Sequence, residues 1–202
     1  MGELRNDYEY TINDITLHVS YGGKRRTGLT PEEYKELITE TCKSWRDKGI
    51  TWLRNRFGNA YMGHLGILGT AIMACYARQR CYDFILEPSI TTMPSTHIPL
   101  TSINPDIALI IENKLLILEI KLHHKEVTNL TSQIDEFIAE FKSELRRLRI
   151  HMGVLHMLMT RTTQAREERR NKPRWLTELI LASKKQQDIY NEIDNIIKDL
   201  IH

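Results

Sequence analysis

Residues 104–122 read NPDIALIIENKLLILEIKL, and how this stretch is taken decides the fold. Two apolar runs, 107–111 and 115–118, flank the polar Glu112-Asn113-Lys114. Short Ile- and Leu-rich runs split by turn residues predict a β-hairpin whose strands are buried on both faces. Pro105 suits the first position of a strand, where a missing N–H does no harm. Into this hairpin the sequence sets three ionisable groups, Asp106, Glu119 and Lys121. Folding about Asn113 brings position 106 opposite 119–121, and Glu119 and Lys121, two apart, share a face. Two carboxylates about 5 Å apart repel by roughly 3 kcal/mol at an effective dielectric near 20. A hard divalent ion such as Mg²⁺ relieves that repulsion. Lys121 would then lie one side chain from the metal-bound water, placed to orient a nucleophile or to offset charge on a phosphate. The plainer alternative is an ion pair at a strand end, with Asp106 a turn residue.

Outward from the hairpin, 202 residues with 41% hydrophobic content suffice for one domain with a proper core. No run of eighteen apolar residues and no secretory leader is seen, so neither a membrane span nor export is expected, and an intracellular setting is. Cys42, Cys75 and Cys81 form no C-x-x-C pair and are odd in number, which predicts reduced, mostly buried thiols. The net charge of +2 does not mark a polyanion binder; the distribution of charge says more.

Two alternating segments, 8–12 and 15–19, predict a small hairpin, followed by a basic loop at 21–28. Thr30-Pro31-Glu32-Glu33 is a helix start, with Thr as N-cap and Glu three residues on, and the helix is expected to end at Gly49. Residues 43–56 carry a net +4, which serves either phosphates or a solvated face. Residues 59–79 predict a continuous helix despite Gly63, Gly66 and Gly69, whose cost of up to about 1 kcal/mol each implies close approach to the sheet. A strand is expected at 82–90. The fifteen residues 91–105, with three prolines, then read as a substrate-facing loop. Apolar positions 130, 134, 137, 138, 141, 145 and 148 make a helical stripe. A buried strand is expected at 150–160. The last segment, 175–202, reads as helical, and its Ile189, Ile193, Ile196 and Leu200 form either a seam for a second copy or a stripe packing on its own domain.

A Pro-Asp, twelve residues, then Glu-x-Lys, on such a hairpin, resembles the PD-(D/E)xK nuclease superfamily of restriction endonucleases, archaeal Holliday junction resolvases and RecB-like exonucleases. The predicted order helix, strand, strand, strand, helix, strand over about 58–160 is also that family's order, and it covers about half the chain. The resemblance implies an α/β fold with a restriction-endonuclease-like core, a three-strand meander in a mixed sheet flanked by helices. Residues 1–57 and 161–202 would be terminal additions to a single nuclease-like domain. Small size and Ile/Arg-rich style also resemble nucleases of archaeal spindle-shaped viruses (fuselloviruses), which would put the protein in a host cytoplasm.

The resemblance further implies that Asp106, Glu119 and the Ile120 backbone carbonyl hold Mg²⁺ or Mn²⁺, with Lys121 the positively charged helper. A fourth ligand usually comes from the helix before the first strand. His64 is the candidate there, although the RecB-like Gly four residues earlier is Ala60 here, and Glu87 competes with it. The RecB-like Gln-x-x-x-Tyr appears as Gln133-Ile-Asp-Glu-Phe137, so Gln133 would hold a water or a phosphate. His123 and His124 are further phosphate contacts to consider. Residues 142–174 carry ten Lys/Arg against three Glu, a net +7. Arg146, Arg147, Arg149, Arg161, Arg166, Arg169, Arg170, Lys172 and Arg174 would therefore grip DNA beside the carboxylates. The expected activity is metal-dependent hydrolysis of DNA, on branched substrates or ends, by a homodimer with no organic cofactor. The alternatives are a catalytically silent nuclease-fold DNA-binding or assembly protein, and an RNA-cleaving member of the same superfamily.

Overall fold

Apolar content on both faces makes the hairpin a central element, because strands of Ile and Leu alone must be covered on each side. In the computed structural model, which describes residues 2–22, 28–95, 97–100, 105–122, 133–158, 176–181 and 184–202, that hairpin is β5 (Ile107–Ile111) and β6 (Lys114–Lys121). Every residue of β5 and the six inner residues of β6 are buried. The turn is Glu112-Asn113 alone, with Glu112 at φ 55°, and Lys114 already belongs to β6.

The hairpin lies inside a five-stranded sheet of order β3-β5-β6-β7-β8. The partners are β3 (Asp83–Leu86), β7 (Ile150–Leu158) and β8 (Leu176–Ile180). β3 and β5 are antiparallel, as are β5 and β6, while β6, β7 and β8 run parallel. A second, antiparallel sheet, β1-β2-β4, is formed by β1 (Asp7–Ile12), β2 (Ile15–Tyr21) and β4 (Pro88–Met93). The β1–β2 turn places Asn13 and Asp14 at φ 50° and 63°, the pair of positive angles a two-residue hairpin loop demands. The chain is thus a mixed α/β protein.

One face of the large sheet packs on α1 (Pro31–Lys43), α3 (Leu65–Gln79) and α6 (Gln186–Ile201). The other face meets the small sheet, α4 (133–140) and α5 (Lys142–Arg147). α1 starts on the expected capping box, Thr30 with Glu33. It ends at Lys43, earlier than expected, because Ser44 turns extended and caps a π-type turn, Trp45–Gly49, that leads into α2 (Ile50–Phe57). The helix expected over 59–79 begins as a 3-10 stretch, Gly58–His64, and is α-helical only from Leu65. The run Trp45–Gln79 is long and apolar enough to cross a membrane, but 67% of its most apolar window is buried inside the fold. That is the pattern of a core helix.

Of the three glycines expected to allow close approach, only Gly69 does so. A Cβ there would lie 2.7 Å from Ile120 Cγ2 and 3.2 Å from Met157 Sδ, whereas at Gly63 and Gly66 it would meet nothing. Gly69→Ala is therefore expected to destabilise the protein by about 1–3 kcal/mol, since the β-branched Ile120 cannot swing aside. Gly66→Ala should stabilise it by about 0.5–1 kcal/mol through helix propensity. Urea unfolding of both variants checks the pair; shifts of the same sign would discard the packing argument.

Four further expectations are corrected, and an alternative left open by the sequence is decided. The strand at 82–90 is two strands, because Glu87 at φ 43° and Pro88 turn the chain from one sheet into the other. The stretch 91–105 begins inside β4, and its Ile98 and Leu100 are buried in the second core. Residues 175–202 are not helical throughout: Leu176–Ile180 is the edge strand β8. Of the two alternatives for the stripe Ile189, Ile193, Ile196 and Leu200, the second holds: it packs on the protein's own core. The thiols are not all reduced either: Cys42, at the end of α1, is disulfide-bonded to Cys75 of α3, and only Cys81 is free.

Candidate functional site

The register sets Ile107 opposite Leu118 and Leu86 opposite Ile107. The next positions along, Glu87, Asp106 and Glu119, therefore form one row across β3, β5 and β6. The row lies where β3 and β6 reach their carboxyl ends, the edge at which open α/β sheets gather ligands. At 8% and 9% exposed, Glu87 and Glu119 are carboxylates inside the protein.

Glu87 is held in an unfavourable backbone state. A left-handed residue before proline is strained, at a cost on the order of 1–3 kcal/mol, and such residues concentrate at functional sites. Two main-chain bonds pin it: its N–H donates to the Asp106 carbonyl at 2.9 Å, and its carbonyl accepts from Gly22 N–H at 2.9 Å. A side chain at Gly22 would collide with that same carbonyl, 2.8 Å away.

At Asp106 the ladder slips. Its N–H donates to the Leu118 carbonyl at 3.0 Å, while its Oδ2 accepts the Ile120 N–H at 2.6 Å. The carboxylate thus takes the place of a main-chain acceptor and fixes Asp106 to the Glu119–Lys121 end of β6. Lys121 Nζ donates to Glu119 Oε1 at 2.5 Å, with side chains 21% and 11% exposed.

Two residues that sequence reasoning missed join this edge. His156 of β7 is 2% exposed and opposite Lys121 in register. Leu155 and Met157 pack toward α3, so by strand alternation His156 shares the face of Glu119 and Lys121. Tyr34 of α1 is the other. Burial first, then the charges of Glu87 and Asp106, push its hydroxyl well above the ordinary tyrosine range, while a hydrogen bond with Thr70 works against them. It is a neutral hydrogen-bonding group at any working pH. Only pairing partners, invisible in the sequence, mark His156. Nothing in the sequence sets Tyr34 apart within its helix.

The remaining predicted residues lie elsewhere. His64 ends the 3-10 stretch and stacks on Phe57, ring centroids 3.8 Å apart and 9° from parallel. Gln133 is an exposed first residue of α4. Arg146, Arg147 and Arg149 are exposed around the end of α5, with Arg149 at φ 55°. His123, His124, Arg161, Arg166, Arg169, Arg170, Lys172 and Arg174 lie outside the described residues. Among the described residues, no three His, Cys, Asp or Glu side chains are grouped to hold a metal ion.

No protein-family model, curated protein or solved structure matches the chain.

Proposed function

We propose that the chain is a divalent-metal-dependent nuclease that hydrolyses DNA phosphodiester bonds on a restriction-endonuclease-like core. The observation that carries the reading is the row Glu87-Asp106-Glu119, with Lys121 beside it, at the carboxyl edge of the central strands. The order α3, β3, β5, β6, α4 with α5, and then β7 parallel to β6 supports the same reading, with β4 diverted into the second sheet.

The donors suit a hard cation held sparingly. Mg²⁺ keeps several waters and needs only one or two carboxylates, which Asp106 and Glu119 would provide with the Ile120 carbonyl and Glu87 behind them. A cage of three side chains is not what the described residues offer. When bound, Mg²⁺ or Mn²⁺ would supply an activated water and a Lewis acid. Lys121, paired with Glu119, puts a cation where phosphate charge would develop, and Asp106 locks the β6 backbone beneath it. His156 borders the same face from β7. Arg146, Arg147 and Arg149 are exposed cations for a polyanion.

The setting in this reading is intracellular, in a host cytoplasm if viral. The Cys42–Cys75 disulfide suits the intracellular proteins of hyperthermophilic archaea. A second copy of the chain belongs to the reading as well, docked on a surface other than the buried stripe of α6.

The test is cleavage of linear duplex, single-stranded, flap and four-way-junction DNA with Mg²⁺ or Mn²⁺, beside Glu119→Ala and Lys121→Ala. We expect both variants to lose cleavage while keeping salt-sensitive binding. One rival is a silent DNA-binding member of the fold. Salt-sensitive binding by the unaltered protein with no cleavage under either metal would select it. Cleavage of RNA but of none of the DNA substrates would select an RNA-cleaving relative.

A further inference from the structure

Far from the charged row, the sheet leaves a hollow whose cause is unequal strand length. β7 begins at Ile150, whereas β8 pairs with it only from Val154. Among the described residues, the first four of β7 therefore have helices rather than a strand on that side. A cavity of about 380 Å³ opens there, between α4, α5 and the last turn of α6. His151 on its wall and His156 at the charged row are five residues apart on one strand, roughly 17 Å at about 3.3 Å per residue. The two places are separate, so this inference does not rest on the nuclease reading.

The lining divides by chemistry. Ile138, Leu145, Ile150, Met152 and Leu200 make an apolar bed. Lys142, Arg146, His151 and His202 stand around it, against the single carboxylate of Asp199. Lys114 adds a further cation close by, its Nζ 3.5 Å from the Ile201 carbonyl. An apolar bed with a few convergent polar groups is how small-molecule sites are built, and this volume falls at the low end of their range. At about 30 Å³ per water it equals roughly a dozen waters. A ligand of about ten heavy atoms matches that room.

Each half of the lining excludes one class of occupant. A bare inorganic anion would leave the apolar bed wet, and an uncharged hydrocarbon would leave the cations unused. We propose that the cavity binds a small amphipathic organic anion, its carboxylate held by Lys142 and Arg146 and its chain lying on the bed beneath.

His151 supplies a reporter. Its Nδ1 is 3.1 Å from the Leu200 carbonyl, which can only accept, so Nδ1 carries the proton in the neutral ring. Burial first, then the charges of Lys114 and His202, hold this imidazole below the ordinary range, although the Leu200 hydrogen bond opposes them. Lys142, Arg146 and Asp199 are the other charged groups around it. An anion arriving among these cations would raise the His151 titration.

The experiment is a titration of the full isotope-labelled chain with octanoate, with acetate, n-octanol, inorganic phosphate and a short single-stranded DNA as comparison ligands. The readouts are the amide signals of residues 150–152 and 200 and the His151 ring. We expect octanoate to give saturable shifts there and to move the His151 midpoint upward, with acetate and octanol at least about tenfold weaker. The Lys142→Gln, Arg146→Gln double variant, altered only at exposed positions, should lose about tenfold in octanoate affinity without losing its fold. No saturable shift with octanoate would overturn the proposal. So would acetate or phosphate binding as well as octanoate, which would make the place a plain basic patch. Tighter binding of DNA at the same signals would assign it to the nucleic-acid surface and overturn the proposal too.

Discussion

Lys121→Met is expected to remove all measurable DNA cleavage and to cost the fold about 2–4 kcal/mol, because it takes the paired ammonium away from a carboxylate with little access to water. Glu119 is 11% exposed at the side chain, and Lys121 Nζ sits 2.5 Å from it. Breaking a fully enclosed pair costs about 3–5 kcal/mol. Lys121 keeps a fifth of its surface in water, so the expected figure lies below that range. Replacing both members, Glu119→Gln with Lys121→Met, removes the carboxylate together with its ammonium, and should return most of the stability. It should not return cleavage, which needs the carboxylate as donor and the ammonium against phosphate charge. A loss of at least about a hundredfold is the scale for one electrostatic group in a catalytic centre. Urea unfolding and cleavage rates on the same three proteins separate the cases. A double variant that is stable and inactive identifies the pair as catalytic machinery. One that is stable and still cleaves would reduce it to an ion pair at a strand end and remove the basis of the nuclease reading.

How far this edge could be read in advance depended on the range of the interactions that make it. The hairpin was legible because it is local: a polar turn between Ile and Leu runs fixes pairing and register within nineteen residues. The adjacency of Asp106 and Glu119 follows from the same counting, and so does the shared face of Glu119 and Lys121. The capping box at Thr30 and Glu33 was legible for the same reason. Glu87 was visible as a residue, but not its left-handed turn, which exists because Pro88 leads into a second sheet completed by β1 and β2 from the start of the chain. Tyr34 could not be foreseen: its hydroxyl reaches the row only because α1 packs on α3 and α3 on β6, two tertiary contacts in succession. β8 was not legible because a five-residue edge strand is too short to show a period of its own beside the helical stripe of α6. In the sheet it adds a parallel neighbour to β7.

Reduction of the Cys42–Cys75 disulfide is expected to lower Tm by about 6–15 °C, with cleavage at lower temperature unaffected. The bond closes a loop between residues 33 apart, tying the end of α1 to the middle of α3. Loop-closure entropy for that length corresponds to about 3–4 kcal/mol withheld from the unfolded chain. For a domain of this size each kcal/mol moves Tm by about 2–4 °C. The stapled helices lie behind the charged row: α1 carries Tyr34, and α3 presses Gly69 against Ile120. The bond therefore bears on whether the row survives heating, but it touches none of its side chains. The Cys42→Ser, Cys75→Ser variant should melt like the reduced protein and stop responding to reductant. Cys81→Ser, at an exposed free thiol, should melt like the unaltered oxidised protein. Thermal melts with and without reductant decide the matter. A midpoint that reductant leaves in place would mean that the two thiols are packed side by side without a bond. The hold on α1 would then come from its non-covalent contacts, chiefly its buried face of Tyr34, Leu37 and Ile38.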